Sequence, residues 1–232
     1  MNAGYRYLGQ GIYSISEAAV LSGVTASKIS RWVRGYSYTR HAMDARSAAV
    51  FERDFEEISG KTALSFLDLV EVQFVDWFRS HGVSWKSIRI AADRASQLLK
   101  STRPFAMRQF FTDGKTIFAR ITKSYEYSDL IDLVRRQYEI NEILSPLLYA
   151  RLDFNDADTA NRWWPMGRDR GVVVDPQLSF GKPVVERFGI PTRVIAESYR
   201  TIGSEGEVAD WFEIDIKAVR DALDFEQVAL VA

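Results

Sequence analysis

Residues 14–35 read SISEAAVLSGVTASKISRWVRG, and this stretch decides the fold predicted for the first part of the chain. Ser14 and Glu17 have the spacing of a capping box, in which each side chain binds the other residue's backbone amide at a helix start. Gly23 predicts the end of that helix, and Thr25 predicts the N-cap of a second helix that ends at the closing glycine. Two short helices joined by a tight turn are typical of a helix-turn-helix unit.

The second helix of this unit carries polar and basic residues on one face. If Ile29, Trp32 and Val33 pack inward, the other side chains point outward, where Arg and Lys can bind guanine edges and Ser or Thr can bind bases or phosphates. The following residues predict a β-hairpin, or wing, that would flank the DNA. The residues predicted to contact DNA are Thr25, Ser27, Lys28, Ser30, Arg31, Arg34, Tyr36, Tyr38 and Arg40. The alternative is that this face is only a solvated surface.

Further start and stop signals predict a mostly helical α+β protein. The predicted elements are helices over 65–82, 84–100 and 128–145, helices starting near 192, 204 and 215, a β-hairpin over 105–121, and an extended pair over 147–155 and 160–167. In the last helix, the residues predicted to pack inward are Ile216, Val219, Ala222, Leu223 and Phe225. We predict three regions: a winged-helix domain over 1–104, a connecting region of hairpins and a helix over 105–170, and a helix-turn-helix module over 171–232.

The charge pattern divides the chain into two halves. The net charge of −1 comes from 30 Lys/Arg and 31 Asp/Glu. Residues 1–123 contain 18 Lys/Arg and 11 Asp/Glu, a charge of +7, whereas residues 124–232 contain 12 and 20, a charge of −8. Such asymmetry indicates one part that faces nucleic acid and an acidic part with another role, unless two solvated surfaces differ by chance.

Composition excludes several classes of protein. Hydrophobic residues make up 47% of the chain, which is typical of a folded protein. The absence of Cys excludes disulfides and thiolate metal sites, and His41 and His81 are too few for a histidine metal cage. The N-terminus lacks the pattern of a signal peptide, and acidic residues interrupt the most apolar stretch. We therefore expect a cytoplasmic protein without a membrane span.

The sequence contains no catalytic or cofactor-binding motif such as GxSxG, a P-loop, a dinucleotide fingerprint or HExxH. Two acidic clusters could bind Mg²⁺: Asp153, Asp156 and Asp158, and Glu205, Glu207 and Asp210. The first cluster lies in a predicted turn and the second in the first turn of a predicted helix, where acidic residues are favoured for structural reasons. We therefore expect neither a metal site nor catalysis.

Trp163 and Trp164 form the most conspicuous aromatic cluster. Paired tryptophans can anchor a protein partner, because large rings bury much area with little loss of entropy. The alternative is packing in the core or in a hairpin, with one ring on each side of the strand.

Two groups of residues resemble known families. The segments YSISEAAVLSGVTASKISRWVRGY and SFLDLVEVQFVDWFRSHGVSWKSIR resemble the MerR-like winged-helix group. The segments VVVDPQLSFGKPVV, IPTRVIAESY and AVRDALDFE resemble domain of unknown function family 433, a small helix-turn-helix module. In this order they resemble VapB-type antitoxins that carry this module at the C-terminus.

This resemblance implies the antitoxin of a type II toxin-antitoxin system, which binds and blocks a PIN-like ribonuclease toxin and represses its own operon on double-stranded DNA. The module motif then comprises Asp175, Pro176, Gly181, Lys182, Pro183, Ile190, Pro191 and Thr192. One departure is Gly189, which stands where the family commonly has a basic residue. A homodimer, or a larger complex with the toxin, is the expected assembly. A rival interpretation is a stand-alone MerR-like regulator whose central region binds a small ligand, and a third is a metal-dependent nuclease.

Overall fold

The chain folds into mixed helix and sheet, as predicted. A computed structural model describes residues 7–40, 43–80, 83–108 and 150–231. The described helices are α1 (Ile15–Ser22), α2 (Ala26–Arg34), α3 (Phe66–Ser80), α4 (Trp85–Leu99), α5 (Thr192–Ile202), α6 (Glu205–Phe212) and α7 (Ile216–Val231). The described strands are β1 (Tyr13–Ser14), β2 (Tyr36–Arg40), β3 (Met43–Ser47), β4 (Ala63–Leu64), β5 (Leu152–Phe154), β6 (Ala160–Trp163), β7 (Val172–Val174), β8 (Pro183–Val185) and β9 (Ile190–Pro191).

Helix α1 begins at the predicted capping box. The Ser14 hydroxyl accepts a hydrogen bond from the Glu17 amide at 3.1 Å, and the Glu17 carboxylate accepts one from the Ser14 amide at 2.8 Å. Gly23 ends the helix in the left-handed conformation, with φ of 70°. Thr25 is the N-cap of α2, as predicted, but its side chain makes no capping hydrogen bond.

Gly35 joins α2 to the antiparallel hairpin of β2 and β3. Its φ of +71° favours glycine, and a Cβ atom there would lie 2.3 Å from the Ser47 carbonyl oxygen. The hairpin therefore starts close against α2. Arg89 of α4 holds the end of strand β3, because its guanidinium donates to the Ser47 hydroxyl at 2.8 Å and to the Ala48 carbonyl at 2.7 Å.

The five-stranded antiparallel sheet runs in the order β5-β6-β7-β8-β9. Strands β5 and β6 form the extended pair predicted by the sequence. They pair directly with the module strands, because Trp163 of β6 lies opposite Val174 of β7. The sheet thus crosses the boundary predicted between residues 170 and 171, and the two regions on either side share one sheet.

The largest hydrophobic core joins distant parts of the chain. It packs α1–α4 against Phe105 and against residues of β5, β6 and β7, including Leu152 and Val174. A second core holds α5, α6 and α7 against β8, with Ile195 and Val219 fully buried. Ile216 differs from its prediction, because it is 44% exposed at the start of α7.

Two predicted elements lie mostly outside the described residues. The predicted helix over 128–145 falls wholly within residues 109–149, which are not described. The predicted hairpin over 105–121 is described only at its beginning, where Pro104–Ala106 form a 3₁₀ turn instead of a strand. Phe105 is fully buried in this turn and contacts the rings of Phe74 and Phe78 of α3. No helix in the described parts of the chain is long and apolar enough to cross a membrane.

Helix α3 carries two acidic residues into the core. Asp68 and Glu71 are both fully buried. Arg103, which is also buried, pairs with Asp68 at 2.9 Å and with the half-exposed Asp54 at 2.7 Å. The Glu71 carboxylate accepts a hydrogen bond from the Phe105 amide at 3.0 Å. These contacts fix the 3₁₀ turn against α3.

Burial changes the proton affinity of both carboxyl groups. Loss of solvation raises the pKa of Glu71 to about 8, although Arg103 and the Phe105 amide oppose the shift. The same cause raises the pKa of Asp68 to about 6, again opposed by Arg103. At neutral pH the folded protein therefore holds a proton on Glu71 that the unfolded chain releases, whereas Asp68 keeps its proton only below about pH 6.

We expect the free energy of unfolding to fall as the pH rises from 5 to 8. The pKa of Glu71 is raised from 4.5 to about 8 on folding, so deprotonation favours the unfolded chain within this window. The slope for one such group approaches about 1.4 kcal/mol per pH unit. Glu71→Gln should flatten the slope, because an amide does not titrate. The fold should persist, because the amide oxygen can still accept the hydrogen bond from Phe105. Urea unfolding at several pH values measures it, with the exposed Glu57→Gln as control. An unchanged slope in Glu71→Gln would contradict this origin.

Candidate functional site

The predicted DNA-contacting residues from Thr25 to Tyr38 lie together on one surface, formed by α2 and the start of the hairpin. Ile29, Trp32 and Val33 are buried, as predicted. The exposed residues lie on the other side of α2, at its N-cap and in β2: Thr25, Ser27, Lys28, Arg31, Arg34, Tyr36 and Tyr38. Ser30 is partly exposed. Arg40 is the last residue of β2. We call this surface the basic face.

Three of its cations make contacts within the chain. The Lys28 ammonium lies 3.3 Å from the Asp76 carboxylate of α3, and the Arg34 guanidinium donates to the Thr62 hydroxyl at 2.6 Å. The Arg31 guanidinium lies 5.8 Å from the centre of the Tyr36 ring. Because the Lys28–Asp76 pair is exposed, it contributes little to stability and can exchange for contacts with a ligand.

A groove of about 340 Å³ runs along this face between α2 and the helix pair α3–α4. Its walls include Lys28 and Arg31 from α2 and Arg79 and Trp85 from the helix pair. The Arg79 guanidinium lies 4.7 Å from the centre of the Trp85 ring. The Asp76 carboxylate also lines the groove, but the three cations outnumber it. The groove therefore combines net positive charge with aromatic surface, which suits an anionic ligand with flat rings.

The predicted module motif is mostly structural. Asp175, Pro176, Gly181 and Thr192 are buried, and Pro183, Ile190 and Pro191 are partly buried. The Asp175 carboxylate accepts hydrogen bonds from the Arg162 guanidinium of β6 at 2.7 Å and from the Gln177 amide at 2.8 Å. The Thr192 hydroxyl donates to the Glu226 carboxylate of α7 at 2.6 Å. These residues hold the sheet and the terminal helices together.

Gly181 and Lys182 of the motif, together with the neighbouring Phe180, also contact the segment that begins α1. The buried Tyr13 hydroxyl donates to the Gly181 carbonyl at 2.8 Å. Lys182 forms an ion pair with Glu17, which belongs to the capping box of α1. The Ile12 amide donates to the Phe180 carbonyl at 3.4 Å. We call this contact between residues 12–17 and residues 180–182 the junction.

The chemistry of the junction favours these pairings. Burial raises the pKa of Tyr13, so its hydroxyl stays a donor at physiological pH. Burial alone would raise the pKa of Glu17, but hydrogen bonds from Lys182 and Ser14 hold it below its ordinary value. Gly181 has a φ of +82°, and a Cβ atom there would lie 2.3 Å from the Tyr13 hydroxyl oxygen. Only glycine fits this contact without displacing Tyr13.

Trp163 and Trp164 are 5% and 7% exposed and belong to different parts of the interior. Trp163 packs in the largest core, whereas Trp164 packs with Val173 and Val184 on the other side of the sheet. The Trp164 indole donates to the Asp153 carboxylate at 3.0 Å. The structure therefore places both rings where the packing alternative expects them, and neither is accessible to a partner.

The two acidic clusters make ion pairs with neighbouring cations. Asp153 pairs with Arg168, and Asp158 lies 3.1 Å from Arg108. Glu205 lies 2.7 Å from Arg220. Within the described ranges, no three His, Cys, Asp or Glu residues come together as a metal site would require.

A cleft of about 450 Å³ opens between the N-terminal segment, the start of α3 and the turn between β5 and β6. Amide side chains dominate its polar lining: Gln10, Asn155, Asn161 and Gln177. The buried Oδ1 atom of Asn161 has no hydrogen-bond partner among the described residues. No local sequence pattern indicates this cleft, because its walls come from segments up to 168 residues apart.

The chain is similar to known proteins in both sequence and fold. Residues 172–225 match the family described as "Protein of unknown function (DUF433)". A protein of Mycobacterium tuberculosis (strain ATCC 25618 / H37Rv) named "Putative antitoxin VapB45" is 26% identical over 225 residues, which cover 92% of each chain. The crystal structure of Rv2018 from Mycobacterium tuberculosis matches with a TM-score of 0.69 at 22% identity, covering 91% of this chain and 97% of that chain. The chain thus shares its fold with that protein.

Tyr13→Phe should lower the free energy of unfolding by about 1–3 kcal/mol, because it leaves the buried Gly181 carbonyl without its donor. Urea unfolding measures the change, and Tyr38→Phe, at a ring that is 41% exposed, is the control. Equal stability of the two variants would show that the junction does not depend on this hydrogen bond.

Proposed function

We propose that this protein is the antitoxin of a type II toxin-antitoxin system, which acts in the cytoplasm, binds and neutralises a toxin and represses its own operon by binding DNA. The similarity to the VapB45 relative over 92% of both chains carries this proposal. The match of the C-terminal module to the family described as DUF433 supports it. The family resemblance in the sequence further implies that the toxin is a PIN-like ribonuclease.

The basic face is the proposed DNA-binding surface, with α2 as recognition helix and the hairpin as wing. Its Arg, Lys and Ser side chains are exposed or partly exposed on one side of a helix, and a helix fits the width of a major groove. The aromatic residues Tyr36 and Tyr38 lie beside them at the start of the hairpin, with ring centres 5.7 Å apart. A dimer would present two such faces to a two-fold symmetric operator.

The acidic C-terminal half is the proposed toxin-binding part. Enzymes that cleave RNA bind a polyanion, so their substrate grooves are cationic. A partner with negative surface charge complements such a groove and accelerates encounter. The charge of −8 on residues 124–232 has the required sign. Toxin binding and DNA binding would then use opposite ends of the chain.

A second candidate is a stand-alone regulator that responds to a small ligand. The amide-lined cleft of about 450 Å³ favours this candidate, because amide side chains can both donate hydrogen bonds to a polar ligand and accept them from it. The cleft adjoins the junction, since Gln177 also donates to the Gly9 carbonyl at 3.3 Å. The two candidates differ in whether the protein protects cells from the product of a neighbouring gene.

Arg31→Ala should weaken binding to the DNA upstream of the protein's own gene by about 1–3 kcal/mol if Arg31 contacts a base. If Arg31 contacts only phosphate, the slope of log K against log salt should become less steep by about 0.9. Fluorescence anisotropy at several salt concentrations measures both quantities. Arg200→Ala, which removes an exposed cation from α5, should leave binding unchanged. Equal affinity of Arg31→Ala and the unmodified protein would argue against the basic face.

Co-expression tests the antitoxin role. If the neighbouring open reading frame encodes a toxin, its induction alone should arrest growth, and co-expression of this chain should restore it. The two proteins should then co-purify and elute together on sizing. Growth arrest that persists in the presence of this chain would contradict the antitoxin role and favour the ligand-responsive regulator.

A further inference from the structure

Trp211 is the most exposed large hydrophobic residue among those described, at 77%. It lies near the end of α6, whose inner residues Val208 and Ala209 are buried in the second core. Because its side chain is outside that core, Trp211 adds little to the stability of the fold. An exposed indole is costly in water, which makes it a candidate contact for a partner.

The charged residues close to Trp211 in the sequence are all acidic. Residues 201–216 contain five acidic residues and no Lys or Arg: Glu205, Glu207, Asp210, Glu213 and Asp215. Glu205 pairs with Arg220, and Asp215 lies 3.4 Å from Arg187. For the other three, no ion pair with any described residue is formed within the usual 4.0 Å.

Helical spacing puts these features on one surface. Glu207 and Asp210 lie four and one positions before Trp211 in α6, so all three share the side opposite Val208 and Ala209. All three are exposed. We call this surface the acidic tryptophan face.

We propose that the acidic tryptophan face is the docking surface for the toxin, and that the toxin presents a basic surface with an apolar socket for the indole. This inference rests on the proposed function and assigns the toxin contact to α6. Tryptophan is the residue type most enriched among dominant interface contacts, and a surrounding polar rim excludes water from such an anchor. The negative rim matches a cationic groove built for RNA.

Charge also argues against DNA and against a second copy of this chain as the partner that binds this face. DNA is excluded because its phosphates would be repelled by the acidic residues. A two-fold contact between copies of this chain would place the same face against itself. The unpaired Glu207 and Asp210 would then face their own counterparts, which is unfavourable.

The experiment measures binding of the purified protein to the purified product of the neighbouring open reading frame. Trp211→Ala should weaken the complex by about 30-fold or more, as expected for a dominant contact. Leu98→Ala is the matched control, because Leu98 is 44% exposed in the basic half. Glu207→Lys with Asp210→Lys should slow association about tenfold at low salt, with a smaller difference at high salt. Glu56→Lys with Glu57→Lys makes the same charge change at two exposed residues and serves as its control.

The outcomes separate this inference from the proposed function. If the unmodified protein binds and only the α6 variants lose affinity, the docking surface is supported. If all variants bind equally, the antitoxin role stands and the docking surface is wrong. If the unmodified protein does not bind, both fail together. Sedimentation of Trp211→Ala adds one more check, since a loss of self-association without a loss of toxin binding would identify the face as a contact between copies.

Discussion

The fold depends on the junction, in which the C-terminal module motif binds the first helix of the chain. Tyr13 donates to Gly181, and Lys182 binds the same Glu17 carboxylate that caps α1. One carboxylate therefore serves both a local helix start and a long-range contact. Any change that moves residues 181–183 would therefore act directly on α1, the helix that precedes α2.

The shared sheet and the buried ionic cluster extend this connection through the interior. Strand β6 pairs with β7 of the module and packs in the core that contains α3. Helix α3 in turn holds Arg103 through Asp68, and Arg103 reaches back to Asp54. Buried ion pairs of this kind add little net stability but strongly disfavour arrangements in which one partner is missing. They therefore specify how the segments after the hairpin meet α3.

This arrangement places the two proposed binding surfaces on separate elements. The basic face is formed by α2 and the hairpin, and the acidic tryptophan face by α6. The junction joins the segment that begins α1 to Phe180, Gly181 and Lys182, so it connects the part of the chain that carries the basic face with the part that carries α6. Trp163 and Trp164 belong to this scaffold, since both rings are buried.

The sequence by itself determined the local structure. The capping box, the glycine stops and the alternation of buried and exposed residues in α2 all depend on neighbours within one or two helical turns, and such patterns are legible without a fold. Only the tertiary structure decided which charged and aromatic residues are buried in the core and which are exposed. Asp68 and Glu71 look like surface residues until α3 is buried on nearly all sides. Their partners, Arg103 for Asp68 and the Phe105 amide for Glu71, then come from more than 30 residues further along the chain. Trp163 and Trp211 are the same residue type, yet packing buries one and exposes the other, because burial depends on contacts between distant segments that no local pattern encodes.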